Sequence, residues 1–185
     1  MTYFISDPHF YHENIIKFCN RPFATAQEMN EVLILNINNT VEENDELYWL
    51  GDFGMCSDEE VLKIMRRIVC KNNHYIMGNH DKAMKDPKVR NFFKSIQDYK
   101  RIAVQGQDII LFHFPIAEWV NCHRGSWMLH GHSHGTHNYS DFLKDKKIID
   151  VGVDCTNYYP ISFDEVKKIM DKRENYTYPK REYQK

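Results

Sequence analysis

The chain has 185 residues, with 24 basic and 26 acidic side chains and a formal net charge of −2. That length suits one domain burying roughly 70% of its unfolded surface, and the charge gives no global pull toward duplex nucleic acid or an anionic membrane. Five scattered cysteines with no Cys-x-x-Cys pair argue against a disulfide framework and a zinc ribbon, and no apolar run approaches the ~18 residues of a membrane span; with a chemical residue already at Asp7 there is no room for a cleavable signal, so a soluble, cytoplasmic protein with reduced thiols is expected.

In chain order, Tyr3-Phe4-Ile5-Ser6 is a short apolar run closed by Asp7-Pro8, because proline has no N–H and a fixed φ; a strand should stop there and hand over to a loop carrying Asp7 and His9. A short helix is expected over residues 12–18. Thr25 and Glu28 have capping-box spacing for a second helix running to about residue 37 or 38, with Met29, Leu33 and Asn36 or Ile37 on one face. Glu42-Glu43-Asn44-Asp45 marks a turn into a strand over 47–50, which ends in Gly51-Asp52. Ser57-Asp58-Glu59-Glu60 then caps a helix with Val61, Ile64, Met65 and Ile68 at helical spacing.

A strand over 74–77 ends in Gly78-Asn79-His80-Asp81, and the charged segment 82–93, with Asp86-Pro87 inside it, reads as a loop with a short helix. Residues 101–104, a turn at Gly106 and residues 109–113 read as a hairpin that ends on His113. After a loop around a short helix come strands over 127–130 and 148–153, the first followed by Gly131-His132-Ser133-His134. A last helix begins at Ser162 and runs to about Asp171. The domain is thus drawn over 1–171, with 172–185 as a basic, tyrosine-containing, solvated tail. Strands alternating with helices, followed by hairpin-linked strands, point to a layered α/β sandwich with mixed sheets and ligands gathered at the strand ends.

Asp7, His9, Asp52, Asn79, His113, His132 and His134 each follow such a run closely. Together they mix carboxylate, imidazole and amide oxygen, a donor set suited to Mn, Fe, Zn, Co or Ni and unlike the thiolates of structural zinc. A pair of divalent cations can activate water and clamp a phosphoryl group if several such ligands and one carboxylate touching both ions are supplied. Singly, an Asp after a strand reads as a turn cap and a lone His113 as a hydrogen-bonded core histidine; the ordered set favours ligation. His130 reads as a packing or supporting residue, and so do His12, His74, His123 and His137, of which His12 stands nearest the motif residues. Phe10, His12, Asn14, Arg21, Arg124, Trp127 and Tyr158 lie in neighbouring loops and could face a substrate, an aromatic and an arginine suiting a nucleobase and a second phosphate; the alternative places Phe10 and Trp127 in the core and Arg21 in a surface pair. Asp150-Val151-Gly152-Val153-Asp154 fits an ordinary strand better than a further metal site.

Asp-x-His, Gly-Asp, Gly-Asn-His-Asp, a lone His and Gly-His-x-His, in this order across positions 7–134, resemble the calcineurin-like metallophosphoesterase superfamily. The resemblance implies a four-layer αββα sandwich with two mixed β-sheets and two divalent transition-metal ions, manganese first among them, at the strand C-termini. It assigns Asp7, His9 and His134 to one metal, Asn79, His113 and His132 to the other, and Asp52 to both as the bridge. His80 becomes the general acid for the leaving oxygen, with Asp81 orienting its imidazole. The second motif here continues as Phe53-Gly54-Met55, without the phosphate-gripping arginine of the protein phosphatases in this superfamily, and the third ends in Asp81 where theirs ends in Glu. The larger nucleases of the superfamily add a capping domain that 185 residues can scarcely hold. What remains is similar to the compact bacterial-type phosphodiesterases, acting on a small or nucleotide-like phosphodiester. The alternatives are a phosphomonoesterase with the same centre, a nuclease on short ends, and a non-catalytic metal-binding interaction module, the last disfavoured because no ligand position is vacant.

Overall fold

The computed structural model describes residues 1–136 and 143–178. Its strands, in chain order, are β1 (Thr2–Ile5), β2 (Glu46–Trp49), β3 (Asn72–Ile76), β4 (Phe93–Gln97), β5 (Tyr99–Val104), β6 (Gln107–Phe112), β7 (Trp127–His130), β8 (Ile148–Asp150) and β9 (Ile161–Ser162). One sheet has the order β4-β3-β2-β1-β9, parallel except for β9; the other has the order β5-β6-β7-β8, parallel except for the β5–β6 hairpin.

Successive strand residues point to opposite faces, and here both faces are apolar because both are covered. In β1, Phe4 points between the sheets while Tyr3 and Ile5 point outward; in and after β2, Tyr48 and Leu50 go inward and Leu47 and Trp49 outward. The outer face of the first sheet is covered by α1 (Glu13–Phe18), α2 (Ala26–Thr40), α3 (Asp58–Met65) and the short α4 (Pro87–Arg90). Their apolar stripes, Met29, Leu33 and Ile37 on α2 and Val61, Ile64 and Met65 on α3, form one cluster with that face. Between the sheets, Phe4, Leu50 and Ile76 meet Ile109, Leu111, Trp127 and Leu129, and α5 (Phe163–Met170) closes the edge by adding Phe163, Val166 and Met170. The fourth layer is thin. Ile110, Met128 and Ile148 on the outer face of the second sheet lie under Trp119, Cys122, Leu143 and Tyr176, carried by coil and the 3₁₀ turn Cys122–Arg124.

Local chemistry sets most boundaries. Ser57 and Glu60 cap α3 reciprocally, as Ser162 and Glu165 cap α5. At α2, Thr25 accepts from the Glu28 N–H as expected, but the Glu28 carboxylate reaches one residue further back and accepts from the Ala24 N–H, at 2.7 Å. Two strands go beyond the sequence reading. The charged run before β4 masks it, and β9 is only two residues long. Tyr176 is buried against Trp119 and donates to Glu118 Oε1 at 2.8 Å, so the packed region continues past residue 171. His137 and residues 179–185 of the expected tail lie outside the described residues.

Candidate metal centre

The parallel strands of both sheets end on one side of the molecule, and the two sheets are stitched together there. Ser6 N–H donates to Val151 O and Val153 N–H to Ser6 O, joining the end of β1 to the chain that continues from β8. Gly131 N–H donates to His113 O, and Leu50 N–H to Ile5 O. Asp7, Asp52, Asn79, His113 and the 131–134 segment therefore issue from adjacent strand ends. A side chain at Gly131 would collide with Ser6 Oγ and Asp7 Oδ2, and one at Gly78 with Asp52 Oδ1, so these two glycines permit the close approach of the loops.

All seven residues expected as ligands lie in this one place. Asp7, His9 and His134 offer donor atoms within 4.8 Å of one another, and so do Asp52, His113 and His132. Asn79 Oδ1 stands 3.1 Å from His113 Nε2. Asp52 Oδ2 lies 3.7 Å from His9 Nε2 and 3.6 Å from His113 Nε2, between the two groups. Asp7, His9, Asp52, His132 and His134 all have positive φ, between 47° and 68°. Such backbone costs a non-glycine residue roughly 1–2 kcal/mol, and strain of this kind gathers where donor atoms are aimed at a common point.

The donor atoms fit a cation. Asp7 Oδ1 and both ring nitrogens of His9 are buried without a hydrogen-bond partner among the described residues, a costly arrangement for polar groups unless an ion completes it. Asp7 Oδ1 lies 3.8 Å from His9 Nε2 and 4.0 Å from His134 Nε2; these separations are shorter than two metal–ligand bonds of about 2.1 Å laid end to end.

A surrounding layer of hydrogen bonds fixes the rings. His113 Nδ1 is 2.7 Å from Leu50 O, which directs Nε2 inward, and His134 Nδ1 is 2.7 Å from Asp154 Oδ2. Asp154 is held in turn by a two-pronged pair with Arg21 at 2.8 and 2.7 Å, and the same buried guanidinium donates to the carbonyls of Pro8 and Asp7. Asp150 accepts from Gly135 N–H and Gly152 N–H, tying the histidine loop to the end of β8. Asp150 and Asp154 thus brace the seven expected ligands, and Asp154 with His134 and Cys19 also offers donor atoms within 4.8 Å of one another. The regular strand ends at Asp150, and only the fold brings Asp154 beside His134.

The electrostatics follow the burial. Burial pushes the Asp7 carboxyl up to about 7 and the His9 imidazole down to about 3, leaving His9 a neutral donor with a free lone pair. Burial also opposes ionisation of Asp52, but the imidazole of His113 3.6 Å away and the His80 N–H overcome it and bring Asp52 down to about 2. His113 is correspondingly raised to about 8, the carboxylates of Asp52 and Asp7 outweighing its burial.

His80 is exposed; its ring centroid is 6.0 Å from that of His9, and its N–H donates to Asp52 Oδ1 at 2.9 Å. Asp81 does not orient it. The buried Asp81 carboxylate accepts from Phe53 N–H and Tyr75 O–H on one oxygen and from Gly78 N–H and Asp52 N–H on the other, so it clamps the 51–53 loop to the 78–81 loop. Burial raises its pKa.

Among the other residues considered from sequence, Phe10 and Trp127 are core, and Tyr158 packs on Phe23. Arg124 is exposed on the 3₁₀ turn of the fourth layer. Arg21, paired with Asp154, is buried and not a surface group. His12 caps α1, its Nδ1 accepting from Ile15 N–H, with its ring centroid 5.6 Å from that of His9; Asn14 is exposed in the same helix. His130 is buried in packing, His74 lies between Glu46 and Ser95, and His123 is near Tyr178.

The model of the family described as calcineurin-like phosphoesterase matches residues 2–178. An uncharacterised protein of Methanocaldococcus jannaschii, MJ1445, is 36% identical over 174 residues, 92% of this chain and 91% of that one. The crystal structure of AQ665 from Aquifex aeolicus, a protein of unknown function, superposes with a TM-score of 0.74 at 30% identity, covering 91% of this chain and 98% of that one.

Proposed function

The chain belongs to the calcineurin-like phosphoesterase family, and from that premise we propose that it is a two-metal phosphodiesterase that hydrolyses a small or nucleotide-like phosphodiester. Asp7, His9 and His134 would hold one divalent cation and Asn79, His113 and His132 the other, with Asp52 placed to serve both. The position of Asp52 Oδ2, 3.7 Å from His9 Nε2 and 3.6 Å from His113 Nε2, is the observation that carries this reading. When bound, the cations supply a water acidified toward neutral pH and positive charge for the phosphate oxygens.

The chain's own residues do the rest. Leu50 O and Asp154 hold His113 and His134 with one nitrogen facing inward. Asp81 fixes the loop that presents Asp52. His80, with an exposed ring at the solvent side of His9, delivers a proton to the departing oxygen. A preference for diesters is supported by what stands beside Asp52. The residues directly after it, Phe53-Gly54-Met55, include no arginine, and Arg21 is spent on Asp154 and two backbone carbonyls, so the extra charge of a monoester finds no guanidinium from either place. The test compares kcat/KM for bis- and mono-nitrophenyl phosphate at saturating manganese, with bound metal measured in the same samples. Two ions per chain and a preferred diester are expected. A roughly tenfold preference for the monoester, equivalent to about 1.4 kcal/mol in the barrier, replaces this reading with a phosphomonoesterase.

A further inference from the structure

Beside the second ligand group lies a cleft of about 400 Å³, lined in part by Asn79, Lys82, Lys85, Asp98, Phe112 and Phe114. Its volume is within the range of small-ligand sites, and its two walls differ in chemistry. The aromatic wall follows from strand alternation. His113, just past the end of β6, turns into the metal centre, so Phe112 and Phe114 on either side of it point away together. The rings continue outward from a ligand: His132 to Phe114 is 4.6 Å between centroids, Phe114 to Phe112 5.7 Å, and Phe112 to the exposed Tyr99 6.2 Å.

The basic wall is equally local. Residues Lys82–Lys85 form a 3₁₀ turn, in which positions three apart eclipse, so both lysines share a face. Asp98 is the opposing exposed charge, and Asp81, which also lines the cleft, has its oxygens engaged by four donors. The lining thus carries two ammonium and two carboxylate groups, of which Asp81 is buried and fully engaged, so the exposed Lys82 and Lys85 stand with Asp98 opposite the aromatic rings, and Asn79, a member of the second ligand group, lines the same cleft.

We propose that this cleft is a substrate subsite that takes a nucleobase against Phe114 and a second phosphate on Lys82 and Lys85, so that the preferred substrate is a short single-stranded nucleotide chain with a terminal phosphate and not a simple diester. The inference rests on the phosphodiesterase reading and specifies its substrate. Stacking on aromatic faces tolerates any base, and ammonium groups recognise phosphate without regard to sequence, so the subsite selects a class of compound and not a base.

The test uses the full-length, metal-loaded protein and thymidine dinucleotides with and without a 5′- or 3′-terminal phosphate. The wild type is expected to prefer one phosphorylated form by roughly tenfold in kcat/KM, the size of one or two charge-assisted contacts, and Lys82→Gln/Lys85→Gln to bring that ratio close to one. Phe114→Leu, with its metal content verified, is expected to weaken both dinucleotides while leaving the ratio intact. In parallel, binding of fluorescent phosphorothioate-linked dinucleotides is read by anisotropy, and the same ratio of Kd values is expected. Equal treatment of phosphorylated and unphosphorylated forms by the wild type, or a ratio that survives the double substitution, overturns the subsite. Turnover of none of these esters counts against the phosphodiesterase reading alone, since the binding ratio still decides the subsite.

Discussion

Replacing Asp154 tests whether the layer outside the ligands governs the first metal position. In the structure its Oδ2 accepts from His134 Nδ1 at 2.7 Å, while both oxygens pair with Arg21, whose side chain is fully buried. Asp154→Ala leaves that guanidinium without its carboxylate in the interior, and breaking a buried pair from one side costs about 3–5 kcal/mol. Since Arg21 keeps the carbonyls of Pro8 and Asp7, we expect the lower end, ~3 kcal/mol, in urea unfolding of the metal-free protein. Asp154→Asn keeps the shape and a hydrogen-bonding oxygen but loses the charge that holds His134. Its expected signature is a first-site metal affinity reduced about 10- to 100-fold, with the second site nearly unchanged. Chelator competition followed metal by metal reads this directly. An Asn variant that binds both ions as the wild type does, together with an Ala variant within about 0.5 kcal/mol of wild-type stability, the range of ordinary surface changes, would refute the reasoning.

Further outcomes follow from the same geometry. Asp52→Asn removes the charge shared by the two groups and is expected to lower occupancy at both; elemental analysis showing two ions per chain would count against the bridging position. His80→Ala is expected to keep its metals and lose about 10²- to 10⁴-fold in rate, most on poor leaving groups, and equal losses on nitrophenyl and alkyl esters would leave His80 only a positioning role. In the metal-free protein His113, raised to about 8 from 6.5, and His134, also raised, contribute stability that is fully present below pH 6.5 and is lost as pH rises through their folded values. The unfolding free energy of chelator-treated protein, read from urea melts, should therefore fall between pH 6.5 and 8, by up to about 2 kcal/mol for His113, whereas metal binding should strengthen over the same interval because the metal displaces that proton.

Much of the fold is legible in local sequence because the deciding interactions are local. Ser57 with Glu60 and Ser162 with Glu165 mark helix starts through contacts three residues apart, and the Gly106 turn sets the β5–β6 hairpin. β4 is less legible, because in Phe93–Gln97 only Phe93 is buried and the rest shows no clean alternation. The capping-box spacing at Thr25 is satisfied differently from expectation, since the Glu28 side chain can choose between neighbouring backbone N–H groups.

The sequence by itself determined the donor inventory and its order, a carboxylate, imidazole or amide oxygen after β1, β2, β3, β6 and β7, because a ligand's element preference is a property of its side chain. The tertiary structure alone decided how those donors are supported. Asp81 follows His80 in the chain yet turns inward to four donors from loops as far away as Asp52 and Phe53, whereas Asp154, 20 residues beyond His134, is the group that orients it. Arg21 likewise could be a phosphate grip or a buried tie until the loop after β8 brings Asp154 against it. Such supporting hydrogen bonds join residues far apart in the chain, with no fixed spacing to betray them, and they exist only once the two sheets meet at Ser6 and Gly152.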